Sequence, residues 1–220
     1  MGKIIAIDGP AGSGKSSTAR EVAKRINFVY IDTGAMYRAV TLLTLENNIP
    51  IENTEKIIEL ARKLDIHFEW IDNQHHTFIG SRDITQEIRT REVADLVSPV
   101  SVIPEVREHL AALQRRMGEK ENIVMEGRDI GTNVFPDADL KFFMVADLRV
   151  RAQRRIGDYQ KAGQKIDIDE VIKILEKRDK IDSSRAHSPL KKADDAIELD
   201  TSHLTFEEQV RKIIEIIQKG

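Results

Sequence analysis

The chain has no cysteine among its 220 residues, so neither a disulfide nor a thiolate-bound metal can hold its fold, and a reducing compartment suits it. Aromatic residues make up only 5%, which leaves the core to Ile, Val, Leu and Ala. No apolar run approaches the roughly 20 residues a membrane span needs. The N-terminal run MGKIIAIDG is interrupted by Asp8 and is too short for a signal peptide. Ala6 stands where a myristoylation signal needs Ser or Thr. Neither sign of charge dominates: 34 basic against 37 acidic residues give −3, which argues against a nucleic-acid coat or an anionic membrane as partner. The expectation is a cytoplasmic protein with no nucleic-acid or membrane partner.

What is present is regular. KIIAID at 3–8 is a short β-branched run stopped by Gly9 and Pro10 and reads as a buried strand. FVYID at 28–32, NIVME at 122–126, LKFFMVA at 140–146 and AIELD at 196–200 read the same way. Helical spacing separates most of them, at Ser16–Ile26, Ala35–Glu46 and roughly 104–118, 148–162, 169–185 and 206–218. Asp167 with Glu170, and Thr205 with Glu208, have capping-box spacing at two of these starts. Strands alternating with helices predict an α/β fold, a five-stranded parallel sheet flanked by helices.

One block breaks the alternation. IHFEWI at 66–71 has period two, DNQHH follows as a turn that carries His75 and His76, TFIG at 77–80 resumes the strand pattern, and 86–97 looks helical. It reads as a small β/α insertion. Two adjacent histidines in a polar turn are expected to be solvated rather than metal-bound.

Gly9-Pro10-Ala11-Gly12-Ser13-Gly14-Lys15-Ser16 fits G-x-x-x-x-G-K-[ST], with a strand before it and a helix after it. Glycines let the backbone curl round an anion with its N–H groups inward, and the helix N-terminus adds its dipole. Lys15 supplies a mobile charge for the β- and γ-phosphates of ATP, and Ser16 a hydroxyl for Mg²⁺. Ser17 is expected among the ATP contacts with Gly9–Ser16. The GTPase signatures N-K-x-D and D-x-x-G do not occur, and the chain is short for a motor ATPase. Small size, an Arg-rich segment and an inserted module favour a small kinase acting on two substrates. A kinase for another small molecule and a non-catalytic nucleotide-binding module are the alternatives.

Three further clusters carry chemistry. Asp32-Thr33-Gly34-Ala35-Met36-Tyr37-Arg38 follows the second strand, where a hydroxyl, a phenol and a guanidinium suit a phosphorylated acceptor. Glu126-Gly127-Arg128-Asp129 follows the third, and its acid can lie near Mg²⁺ directly or through water. Arg178, Asp182 and Arg185 are spaced by four and three and share one helix face, either as an ion-pair ladder or as a clamp for sugar and phosphate. LRVRAQRR at 148–155 alone reads as a solvated basic face.

GPAGSGKSS, IDTGAMYR, EGRDIGT and KRD-x-x-D-x-x-R, in this order and nearly end to end, resemble the bacterial cytidylate kinases of the nucleoside monophosphate kinase superfamily. The segment at about 62–100 resembles the extra part of the CMP-binding domain in the long bacterial type. The resemblance implies a P-loop core at 1–35, 108–147 and 163–220, an inserted NMP-binding domain at 36–107, and a short helical lid at 148–162. It implies ATP, CMP and dCMP as substrates, Mg²⁺ as cofactor, and a monomer. Residue by residue, it implies that Thr33, Tyr37 and Arg38 meet the acceptor nucleotide, and that Ser98, Arg107 and Asp129 read cytosine. Arg128 and Arg185 would bind phosphate, Arg178 and Asp182 would lie near the pentose, and Arg154 and Arg155 would belong to the lid. Glu126 replaces the Asp of some members.

Overall fold

The computed structural model describes residues 2–119, 121–161 and 165–219. Positions 162 and 163, where the expected lid ends and the next core segment begins, lie outside them. The described residues up to Tyr30 and from Met117 onward form one compact unit; Ile31–Arg116 forms the other.

The first unit is built on a sheet. Its strands are β1 (Ile4–Asp8), β2 (Val29–Asp32), which runs over the boundary at Tyr30, and then β6 (Ile123–Gly127), β7 (Leu140–Val145) and β8 (Ile197–Asp200). Their order across the sheet is β2-β6-β1-β7-β8. β1 runs parallel to β6 and β7, and β7 parallel to β8. β1 and β6 are buried at every position, as continuous apolar runs must be when helices cover both faces. Ile5, Ile7, Val124, Phe142 and Met144 pack with Val22 of α1 (Lys15–Ile26) and with Val210 and Ile213 of α8 (Phe206–Lys219). Each fully buried aliphatic side chain is worth roughly 1.5–3 kcal/mol. A second cluster joins Ala152 of α6 (Leu148–Lys161) to Val171 and Leu175 of α7 (Ile168–Ser184) and includes Ala11. At the start of α8, Thr205 and Glu208 close the expected capping box. At α7, however, the Asp167 carboxylate accepts from the Asp169 N–H, not from the Glu170 N–H that a capping box would use.

The second unit holds α2 (Thr33–Glu46), α3 (Thr54–Arg62), α4 (Arg91–Ser101), α5 (Pro104–Gly118), which runs over the boundary at Arg116, and an antiparallel sheet of β3 (Ile66–Ile71), β4 (Gln74–Ile79) and β5 (Arg82–Asp83). Here two expectations are corrected. His75 and His76 do not lie in a turn: only Asp72 and Asn73 turn the chain, both at positive φ, and β4 begins at Gln74. That two-residue turn suits the strand twist. It turns His75 inward, 9% exposed and stacked on Phe68, while His76 pairs with Asp83. The segment at 86–97 is not one helix: a short 3₁₀ turn, Glu87–Arg89, ends before Thr90, whose side chain caps α4 at Val93 N–H. α3 and β5 have no counterpart in the sequence reading. Among the described residues, no helix is long and apolar enough to cross a membrane.

Candidate active site

The register pairs Ile7 with Glu126 and Asp8 with Gly127, so the phosphate loop and the Glu126–Asp129 segment leave the sheet side by side. The strand order reverses between β1 and β6, where open parallel sheets bind ligands at the carboxyl edge. Gly9 has φ 150°, and a Cβ there would lie 2.1 Å from Met144 O, so only glycine lets the loop begin this close to β7.

Lys15 opens α1, with its Nζ donating to Pro10 O at 3.1 Å and standing 3.9 Å from Glu126. Burial first, then the Arg128 charge, lower its pKa to about 7 against the pull of Glu126. Ser16 Oγ donates to Glu126 Oε1 at 2.6 Å, and Tyr30 OH approaches the same oxygen at 3.4 Å. A hydroxyl and a buried carboxylate within hydrogen-bond reach are the hard oxygen donors Mg²⁺ takes alongside phosphate and water. The donor set therefore fits the ion. The other expected ATP contacts, Gly9–Ser17, form the loop and the first residues of α1. Ser13 Oγ is buried without a hydrogen-bond partner.

Beyond Glu126, Arg128 Nε donates to Asp182 Oδ2 at 2.9 Å. Arg185 stands 3.5 Å from Asp129 and 3.7 Å from Asp182. Burial raises the Asp182 pKa, but Arg128, Arg178 and Arg185 outweigh it and hold the carboxyl below its usual range. Five expected acceptor-side residues, Arg128, Asp129, Arg178, Asp182 and Arg185, are thus brought into one ionic cluster. The Arg185 backbone has already left the helix, at ψ 141°.

In the second unit Asp32 is the N-cap of α2. Its Oδ1 accepts from Ala35 N at 2.9 Å and its Oδ2 from Arg38 Nη2 at 2.9 Å. Burial opposes its ionisation, yet Arg38 and the Ala35 N–H hold its pKa below the usual value. At Gly34 a Cβ would come 2.9 Å from Arg38 Nη1, so the missing side chain lets that guanidinium fold over the helix start. Arg38 Nε is buried with no hydrogen-bond partner. Thr33 begins α2, and Tyr37 lies under Arg107, whose guanidinium is 5.4 Å from the ring centroid. Arg107 Nη1 also donates to Ser101 O at 3.1 Å, and Ser98 sits one turn earlier on α4.

The two expected lid arginines differ. Arg155 stacks over Tyr159 within α6, 5.3 Å from its centroid. Arg154 is not a solvated arginine: it donates to Ser13 O, Thr201 Oγ1 and Thr201 O. Three participants had no sequence signal as strong as the loop's. Arg151, treated as part of a solvated face, donates to Ala11 O at 3.2 Å and Asp179 Oδ2 at 2.7 Å. Thr201 is fully buried against the loop. Asp8 accepts from Ile130 N at 2.9 Å and Gly131 N at 2.8 Å. These two N–H groups open a π-helical turn, Ile130–Val134, that directly follows Arg128 and Asp129. The signal for Asp8 was its charge at the end of an apolar strand.

The sheet order and the loop running into Lys15 define a P-loop nucleotide-binding core of the nucleoside monophosphate kinase type. The family model for cytidylate kinase matches residues 5–219, and the chain belongs to that family. The cytidylate kinase of Acholeplasma laidlawii is 50% identical over 216 residues, 98% of this chain and 95% of its own. At the level of fold alone, a structure of an uncharacterized protein from Eubacterium ventriosum covers 99% of both chains with a TM-score of 0.55 and 14% identity. The shikimate kinase of Bacteroides thetaiotaomicron covers 98% of both with a TM-score of 0.51 and 13% identity.

Proposed function

We propose that the chain transfers the γ-phosphoryl group of ATP to CMP and dCMP, giving ADP with CDP or dCDP. What carries this reading is the joining of Lys15, Ser16 and Glu126 at the ends of β1 and β6 in a chain of the cytidylate kinase family.

The attacking atom is a phosphate oxygen. A phosphate monoester loses its second proton at about pH 6, so the acceptor is largely ionised at neutral pH and no general base is needed. The obstacle is repulsion between two polyanions. The loop N–H groups and Lys15 would offset charge on the donor. Ser16 and Glu126, directly or through water, would hold Mg²⁺, which supplies charge neutralisation across the transferring phosphates. Arg38, whose buried Nε already lacks a partner, suits the acceptor phosphate. Arg128 and Arg185 would add donors to phosphate, and Arg178 and Asp182 would serve the pentose. Arg155 would act from the lid, with Arg154 beside it. Thr33 and Tyr37 would orient the acceptor, with Ser98, Arg107 and Asp129 reading cytosine. A core at 1–35, 108–147 and 163–220, an NMP-binding domain at 36–107 and a lid at 148–162 complete this reading. The protein would work as a cytoplasmic monomer without nucleic-acid or membrane partners.

The test is an ADP-release assay over the common nucleoside monophosphates. CMP and dCMP should give the highest kcat/KM. A higher value for AMP, GMP or UMP, or no turnover with any of them, overturns the proposal.

A further inference from the structure

The carbonyl of Ser13, in the middle of the phosphate loop, is held from outside the loop. It is 2.9 Å from Thr201 Oγ1 and 3.2 Å from Arg154 Nη1. Arg154 is itself fixed by Thr201, through Oγ1 at 3.0 Å and the backbone oxygen at 2.6 Å. The Thr201 hydroxyl has one proton and two candidate acceptors, Ser13 O and Val145 O, the latter at 3.0 Å. Val145 O already receives the Thr201 backbone N–H at 2.8 Å. Ser13 O likewise receives Arg154 Nη1, and each carbonyl can accept a second bond. The hydroxyl is therefore within reach of both and has the shorter contact with Ser13 O, while its lone pairs accept from Arg154.

Thr201 cannot easily leave. It is fully buried, directly after β8, and the next turn is tied down by Ser202 Oγ on Asp200 and by Asp147 N–H on Ser202 Oγ. In a trans peptide the C=O and the following N–H point in opposite directions. Holding Ser13 O against Thr201 and Arg154 thus turns the Gly14 N–H away from them. A cationic donor on the carbonyl end also polarises the peptide and strengthens the N–H at the other end.

We propose that Thr201 is a positioning residue for ATP: with Arg154 it fixes the Ser13–Gly14 peptide so that the Gly14 N–H is presented to the ATP phosphates. Arg154 on this account acts through the loop backbone. The inference rests on the ATP-dependent reading above but assigns a residue that the four family-like motifs do not contain.

The experiment measures ATP and CMP affinity separately by calorimetry in wild type, Thr201→Val, Thr201→Ala and Thr201→Ser, with melting temperatures for each. Thr201→Val keeps the branched shape and loses the hydroxyl; Thr201→Ser restores it. Thr201→Val should weaken ATP about tenfold, the size of one hydrogen bond to a charged network, and leave CMP affinity within about twofold. Thr201→Ser should return ATP affinity to within about threefold of wild type. Should the Val protein fail to fold, Thr201→Ala carries the same expectation. Hydroxyl-free variants that bind ATP as wild type does, or lose ATP and CMP affinity equally, overturn the proposal, as does failure of Ser to rescue. If wild type phosphorylates CMP normally in any of those three cases, only this assignment falls. If wild type binds no ATP, the kinase reading falls with it.

Discussion

Lys15 shows how burial and neighbouring charges act on a single side chain. Its ammonium is buried between Pro10 O and Glu126, and burial with the Arg128 charge lowers its pKa. A phosphate group in reach would reverse that cost, as the role proposed for Lys15 requires. Lys15→Ala should reduce kcat by about 10²–10³-fold or more, by analogy with lost oxyanion donors, in a protein that still folds. Steady-state kinetics beside a thermal melt checks this; near-normal turnover removes Lys15 from the mechanism. Asp8 carries a pH signature of its own. Burial pushes its carboxyl up to about 7, against the N–H groups of Gly131 and Ile130, with Asp129 adding repulsion and Lys15 attraction. A carboxyl whose folded pKa lies above its unfolded value contributes stability below the unfolded pKa, and that contribution is lost as pH rises through the folded one. Stability should therefore fall from about pH 4 to about pH 7, and Asp8→Asn should flatten that slope in melting curves across the range. The variant should also be less stable at low pH, because an amide nitrogen must face one of the two N–H donors.

At the scale of elements, the β3–β4 hairpin depends on two residues. Asp72 and Asn73 have φ of 50° and 61°, a conformation that costs most L-residues about 1–2 kcal/mol. Asn73→Ile should destabilise by about that amount and Asn73→Gly should not, as read from chemical denaturation. Equal stability of the two variants would mean that the turn does not set the register. The hairpin also explains why its histidines were misplaced by pattern alone. In a strand, neighbouring residues face opposite sides. A turn shorter by three residues therefore buries His75 while His76 reaches Asp83. The polar string DNQHH carried no mark of where the turn stopped. The division of 86–97 into a 3₁₀ turn and α4 rested on Thr90, which can lie inside a helix or cap one.

At the scale of the whole molecule, base choice is the property to measure. Cytosine offers an amine donor and an unprotonated ring nitrogen where uracil offers a carbonyl and an N–H. If Arg107 and Asp129 read the base as proposed, a mismatched base would set a like group against each of these buried charges, at roughly 1–3 kcal/mol. CMP should be preferred to UMP by about tenfold to over a hundredfold. Arg107→Met and Asp129→Ala should each lower that ratio of kcat/KM. If both variants slow the two substrates equally and leave the ratio intact, these residues hold the nucleotide without reading its base.

The sequence by itself determined what is local in the chain. The phosphate loop needs glycines, a lysine and a hydroxyl within eight positions, between a buried strand and a helix, and nothing distant is required to recognise it. The five core strands were legible for the same reason, since each is a short apolar run with its own stop. The tertiary structure alone decided which distant groups serve that loop. Arg154 reaches Ser13 across 141 residues and Thr201 across 47. Asp8 meets the Gly131 N–H 123 residues away. A hydrogen bond between groups so far apart leaves no periodicity in either neighbourhood, because its geometry exists only after the sheet has ordered its strands and brought their ends together.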